Sequence, residues 1–277
     1  MTKTQQEMIQ KVLEFSKRDS RIIGLAISGS YITKSLDEYS DLDFLIVVDD
    51  KSYEEVIEER LLIVEQFGTL VSAFTGEHVG EPRLIISLYD SPILHVDFKF
   101  TTLDGLLDRV EDSAILYEEN NCITKIYSKK EAHFPTPDLQ WIEDRFWIWV
   151  HYACTKIGRR ELFETIDFLS FLRQSVLAPL IQLLLGKLPR GVRKIELDAP
   201  QYIEALERTV ATHEYESCVN ALQATINLYL ELREELSQSP IVKKVEAERV
   251  ALQYFQDLLK NYFESNSMED NYEWYFK

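Results

Sequence analysis

Residues 22–48, IIGLAISGSYITKSLDEYSDLDFLIVV, hold two apolar runs around one polar break. The first run covers 22–28, and Gly29-Ser30 interrupts it. A polar segment follows, and Asp41-Leu42-Asp43 opens the second run at Phe44. This predicts strand, tight turn, polar connection and strand over 42–48. Upstream, Met8, Ile9, Val12, Leu13 and Phe15 recur at near-helical spacing, predicting an amphipathic helix over 4–18. Downstream, Asp49-Asp50-Lys51-Ser52 reads as a turn and helix cap, with Glu55 as the capping-box partner. The helix it starts is expected to run to about residue 66. Strands are expected over 68–73, 83–88 and 93–100, with a loop over 75–80 and a hairpin at Tyr89-Asp90-Ser91-Pro92. A helical stretch over 103–119 and a last strand over 123–127 complete this half.

The pattern then changes character. Pro135 and Pro137 disfavour helix and strand alike, which puts a domain boundary between 1–134 and 135–277. Beyond it, residues 141–157, 161–185, 201–212, 215–237 and 242–264 keep helical periodicity. Gly158, Gly186, Pro189, Gly191, Pro200 and Pro240 punctuate them. Trp141, Phe146, Trp147, Trp149, Phe163, Phe168 and Phe171 read as core stripes of that bundle. The fold class is α+β: an N-terminal mixed sheet with flanking helices, then a C-terminal helical bundle ending in an acidic, aromatic tail over 266–277.

Composition narrows the function. The 277 residues carry a formal net charge of −17, which would repel a phosphate backbone over most of the surface. This argues against nucleic acid as the partner. It favours a small, cationic one, although acidity also serves solubility alone. No run approaches the length of a membrane span, and the N-terminus is polar rather than signal-like. The three cysteines follow no disulfide or metal-ligand spacing, so a cytoplasmic location is expected.

The chemistry centres on Asp41 and Asp43. Two acids one residue apart on a strand share a face, because side chains alternate with period two. Packing does not ask for such a pair, whereas Mg²⁺ does, since one or two carboxylates plus substrate phosphates usually hold it. Gly29 and Ser30 offer backbone N–H groups and a hydroxyl where phosphate could dock. On the strand over 93–100, His95, Asp97 and Lys99 share one face and Leu94, Val96, Phe98 and Phe100 the other. Between two helices, Lys156, Arg159 and Arg160 bring three cations together. Arg190, Arg193 and Lys194 form a second basic segment that reads as a solvated loop. Helix-end bases are common in any case, because they suit the helix dipole.

Ser28-Gly29-Ser30, ten residues over 31–40, then Asp41-Leu42-Asp43-Phe44 resembles the nucleotidyltransferase superfamily that includes DNA polymerase beta. Many small bacterial members carry Ala-Arg-Gly after the Gly-Ser, where this chain has Ile32-Thr33-Lys34; Lys34 is the cation nearest to that missing Arg. The resemblance implies a third carboxylate in an apolar setting on an adjacent strand. Val96-Asp97-Phe98 fits it, which makes Asp97 a metal ligand or general base. Residues 152–164 resemble the helical domains of small-molecule nucleotidyltransferases, which implies that Lys156, and second Arg160, contact the nucleotide phosphates across an interdomain cleft. The family expectation is an antibiotic nucleotidyltransferase of the aminoglycoside or lincosamide adenylyltransferase kind, a monomer or homodimer. It would move a nucleoside monophosphate, AMP from ATP, to a small hydroxylated acceptor. Asp41, Asp43 and Asp97 would hold two Mg²⁺, and Gly29 and Ser30 would cradle phosphate. Two other readings stay open: AMP transfer to a protein, as in toxin–antitoxin systems, and a non-catalytic nucleotide-binding regulatory module.

Overall fold

The computed structural model describes residues 1–236 and 241–272, with side chains through Lys260. The expected helix end at residue 237, the Pro240 break and the last five residues of the tail lie outside the described residues. The chain divides into two compact units, Met1–Phe134 and Pro135–Lys277.

The first unit is a mixed six-stranded sheet with helices. Helix α1 (Lys3–Arg18) starts at a Thr2 capping box, in which Gln5 answers Thr2. Strand β1 (Ile22–Ile27) leads through a tight turn at Gly29–Tyr31 into β2 (Leu42–Val48). Helix α2 (Tyr53–Val64) follows. Its expected capping box does not form. Asp49 instead caps a short 3₁₀ turn by accepting from the Lys51 N–H, and Glu55 pairs with Arg21. Strands β3 (Thr69–Gly76), β4 (Glu81–Asp90) and β5 (Leu94–Thr101) come next.

The region after β5 reverses the sequence expectation. Residues 103–119 are not a helix: one 3₁₀ turn at Asp104–Leu106 gives way to strand β6 (Ala114–Glu118). The expected strand over 123–127 lies inside helix α3 (Cys122–Lys129). The physical reason is visible in both places. β6 pairs with the otherwise open edge of β1, a long-range bond that local propensity does not contain. Asn120 and Asn121 both sit at positive φ, which Asn tolerates better than most residues, and they turn the chain into α3. There Ile123 and Ile126 fall on one buried helix face.

Strand order is β3-β4-β5-β2-β1-β6, with β2 and β5 parallel and the other pairs antiparallel. One sheet face, carrying Leu42, Phe44, Ile46, Val96, Phe98 and Phe100, packs with Met8, Val12, Val56 and Ile63 of α1 and α2. The opposite face is covered only in part. Val47 packs with Leu106, Ile123 and Ile126, and a Cβ on Gly24 would lie 2.7 Å from Ile123 Cδ1.

The second unit is helical: α4 (Leu139–Gly158), α5 (Leu162–Leu172), α6 (Ala178–Leu184), α7 (Ile195–Asp198), α8 (Ile203–Glu207), α9 (Tyr215–Glu235) and α10 (Val245–Tyr272). A π-turn at Arg173–Leu177 joins α5 to α6, so they continue one another as the sequence pattern expects. The 201–212 segment is shorter than its periodicity suggests, and α7 has no counterpart in the expectation. Asp138 caps α4 by accepting from the Trp141 N–H at 3.0 Å. The aromatic stripe divides. Phe146 and Trp147 are buried, whereas Trp141, Phe163 and Phe171 are exposed. Among the described residues, no helix is long and apolar enough to cross a membrane.

Candidate active site

Asp43 and Asp97 are direct partners in the parallel β2–β5 pairing. Side chains of paired residues project from the same face, so register alone sets the two carboxylates side by side. Asp41 lies two residues before Asp43, ahead of the strand, and its charge reaches Asp97. On the other flank of β2, the Ser28 N–H donates to the Asp43 carbonyl at 2.9 Å. Ser28 Oγ in turn shares a hydrogen bond of 2.6 Å with Ser113 Oγ. On the far flank, Ile86 pairs with Asp97, and Phe74 pairs with Ile86. One row therefore crosses the sheet: Phe74, Ile86, Asp97, Asp43, Ser28 and Ser113. Residues 22–48 supply only its centre, and Ser113, Ile86 and Phe74 had no local signal. Only the pairing could have pointed to them.

The Gly29 turn closes on the acids. Gly29 has φ of +62°, and a Cβ there would stand 2.1 Å from Asp43 Oδ2. Both the backbone conformation and the space thus require glycine. Ser30 follows with a buried hydroxyl. Of six buried side-chain atoms that lack a hydrogen-bond partner among the described residues, Ser30 Oγ and Asp97 Oδ1 are two. Among those residues, Ser30 Oγ has no partner and Asp97 Oδ1 has only the approach of His95; orphaned buried polar atoms are costly, so such a site suits a ligand. Lys34 sits exposed at a positive φ of 55°.

Burial pushes the Asp97 carboxyl above the ordinary range; His95 opposes this shift and Asp41 adds to it. His95 Nε2 approaches Asp97 Oδ1 to 2.9 Å, but the contact is not aligned as a hydrogen bond. Among the described residues, no group of three His, Cys, Asp or Glu side chains could hold a metal unaided. The donor set nonetheless suits a hard cation that takes one or two carboxylates and fills its shell from substrate phosphates.

Two supports for the row were not apparent from the sequence. Gln5 is buried, and its amide donates to the carbonyls of Asp37 at 2.7 Å and Ser40 at 2.9 Å. It thereby ties α1 to the loop that delivers Asp41. Gln5→Ala is expected to lower the turnover of a reaction at this site roughly tenfold, because small displacements of positioned groups carry large rate costs. Steady-state kinetics beside a melting curve would separate that loss from unfolding. Further down the acid-bearing face, Lys99 Nζ lies 2.7 Å from Glu81 Oε2, and Arg83 Nε donates to Glu81 Oε1 at 2.6 Å. Arg83 first, and then Lys99, hold the Glu81 carboxyl down to about 2 from an ordinary 4.5. A depressed carboxyl stabilises the fold fully above its unfolded pKa and loses that effect as pH falls toward the folded one. Glu81→Gln should therefore shrink the drop in urea midpoint between about pH 5 and about pH 3.

Lys156 and Arg160 lie in the second unit. Lys156 Nζ pairs with Glu161 at 2.7 Å and Glu164 at 2.9 Å, and stands 5.0 Å from the centre of the Tyr152 ring. The Glu161 carboxylate first, and then Glu164, raise its pKa. Its charge is thus committed within its own unit. Arg160, at a φ of +59°, lies over the Tyr215 ring at 5.1 Å.

The family model described as streptomycin adenylyltransferase matches residues 2–258. Among solved structures, the chain is similar to an aminoglycoside 6-adenyltransferase from Bacillus subtilis. Identity is 17% over 92% of this chain and 98% of that one, with a TM-score of 0.41. It is also similar to a nucleotidyltransferase-like protein from Exiguobacterium sibiricum 255-15. There identity is 15% over 85% of this chain and 77% of that one, with a TM-score of 0.32. No curated protein matches.

Proposed function

The chain belongs to the streptomycin adenylyltransferase family, and from that premise we propose that it transfers AMP from ATP to a hydroxyl of a small antibiotic-like molecule. The observation that carries the reading is the pairing of Asp43 with Asp97 beside the Gly29 turn. In the reaction, the acceptor oxygen bonds to the α-phosphorus. The bond from that phosphorus to the oxygen bridging to the β-phosphate breaks, and pyrophosphate leaves with the electron pair. Asp41 and Asp43 would hold two Mg²⁺, which would supply positive charge to offset that on the phosphates. The Gly29 backbone and the Ser30 hydroxyl orient the outer phosphates. Asp97 either completes that carboxylate set or, as general base, accepts the proton that the acceptor hydroxyl loses.

The test is incubation of the protein with Mg²⁺, α-labelled ATP and a panel led by streptomycin, following pyrophosphate release and label on the acceptor. Label transfer to any member supports the reading. No pyrophosphate release with any aminoglycoside or lincosamide would overturn it.

A further inference from the structure

The two flanks of the acid row differ in chemistry. Toward β1 the row is polar, with Ser28, Ser113 and the Gly29 turn. Toward β3 it turns apolar at once, because Ile86 is the partner of Asp97 and Phe74 the partner of Ile86. Leu88 is the partner of His95 and so lies on the same face. Phe74 is 52% exposed and Leu88 40%. An exposed phenylalanine and leucine on strands whose other face already packs a core are not required for folding. Their placement on the carboxylate-bearing face, within two strands of Asp97, is open to another account.

The geometry of transfer supplies one. Attacking and leaving oxygens lie roughly in line through the phosphorus. The Gly29 turn, assigned to the outer phosphates, sits on the β1 flank of Asp43. A hydroxyl entering opposite the leaving group comes from the β5 flank, over Asp97. The remainder of its molecule then has to rest on β4 and β3. Neighbouring strands stand about 4.8 Å apart, so Phe74 is roughly 10 Å from Asp97 along the row. That distance spans about two fused or linked six-membered rings.

We propose that the outer faces of β4 and β3, at Ile86, Leu88 and Phe74, form the acceptor subsite. The occupant is a small hydroxylated ring compound that lays an apolar C–H face on Phe74 and Leu88 while its hydroxyl reaches Asp97. The ring of His78, whose centre lies 5.6 Å from that of Phe74, forms the outer lip of the shelf. The surface selects for shape beside the reacting hydroxyl, which the chain's overall negative charge does not do. This inference rests on the adenylyltransferase reading, and its test is arranged to keep the two apart.

Phe74→Ala and Leu88→Ser each remove an exposed apolar contact, and melting curves confirm that the variants fold. Each is measured for MgATP binding by equilibrium dialysis and for transfer to streptomycin and lincomycin. The expected result is an acceptor KM raised about tenfold or more, with the ATP KM within about twofold of wild type, since burial of such side chains carries that scale of free energy. An unchanged acceptor KM in both variants overturns the subsite. A wild type that binds no MgATP, or that binds it and transfers to neither compound, would instead sink the adenylyltransferase reading, and the subsite with it.

Discussion

Asp43→Ala is expected to lower the rate of AMP transfer by about 10³-fold or more, with the melting temperature held close to wild type. The size follows from the role, because positioned metal charge contributes several kcal/mol to such a transition state and each 1.4 kcal/mol is a factor of ten. The preserved fold follows from the site. Asp43 is only half-buried, and its side chain belongs to the sheet face opposite the main core of Leu42, Phe44 and Ile46. Stability should therefore stay close to wild type. Asp41→Ala should show a similar loss. Asp43→Asn is the sharper control, since it keeps shape and removes charge. Pyrophosphate release at saturating ATP and acceptor gives kcat, and ATP titration gives KM. Full activity in both Asp41→Ala and Asp43→Ala would remove the carboxylate pair from the mechanism, whatever the family.

What residues 22–48 made legible, and what they hid, comes down to range. Gly29-Ser30 and Asp41-Leu42-Asp43 are readable because their chemistry is local. A turn that needs positive φ and a period-two acid pair announce themselves within twenty residues. The same locality explains the failure between β5 and α3. Nothing within residues 103–119 says that β1 has an open edge to fill, so the apolar stretch at 114–118 reads as helix. Ile123, Ile126 and Tyr127 are spaced for a helix, but the run is short enough to pass for a strand. The site was affected in the same way. Asp97 was found through resemblance, while Ser113, Ile86, Phe74 and Gln5 became visible only once strand order and loop contacts were known. The Lys156 segment illustrates a different gap. A sequence shows three cations, but not that Glu161 and Glu164 already neutralise one of them.

Glu143→Ala should destabilise the helical unit by about 3 kcal/mol, which makes it the largest stability effect expected from a single substitution here. Glu143 is completely buried on α4. Its carboxylate accepts from the Tyr229 hydroxyl at 2.5 Å, the Lys244 N–H at 2.8 Å and Arg233 at 3.2 Å, and Trp147 Nε1 approaches to 3.3 Å. Burial opposes its ionisation, but Tyr229, the Lys244 amide and Arg233 outweigh it and hold the carboxyl below the usual range. Removing Glu143 strands several donors at once in a site without water access. Arg233 keeps Glu248 at 2.8 Å, and this places the estimate at the lower end of the range for breaking a buried pair. The cluster joins α4, α9 and the segment that begins α10, so the loss should appear as loosened packing among those three helices. All four tryptophans lie beyond residue 134, so tryptophan fluorescence follows this unit alone during denaturation. The double change Glu143→Leu with Arg233→Met should recover much of the lost stability, because an apolar pair of similar volume removes both the charges and their desolvation. If Glu143→Ala unfolds at the wild-type urea midpoint, the cluster is not what holds α9 and α10 to α4. If the double variant is as unstable as the single, the cost lies in the stranded Tyr229 hydroxyl and Lys244 amide rather than in the unpaired arginine.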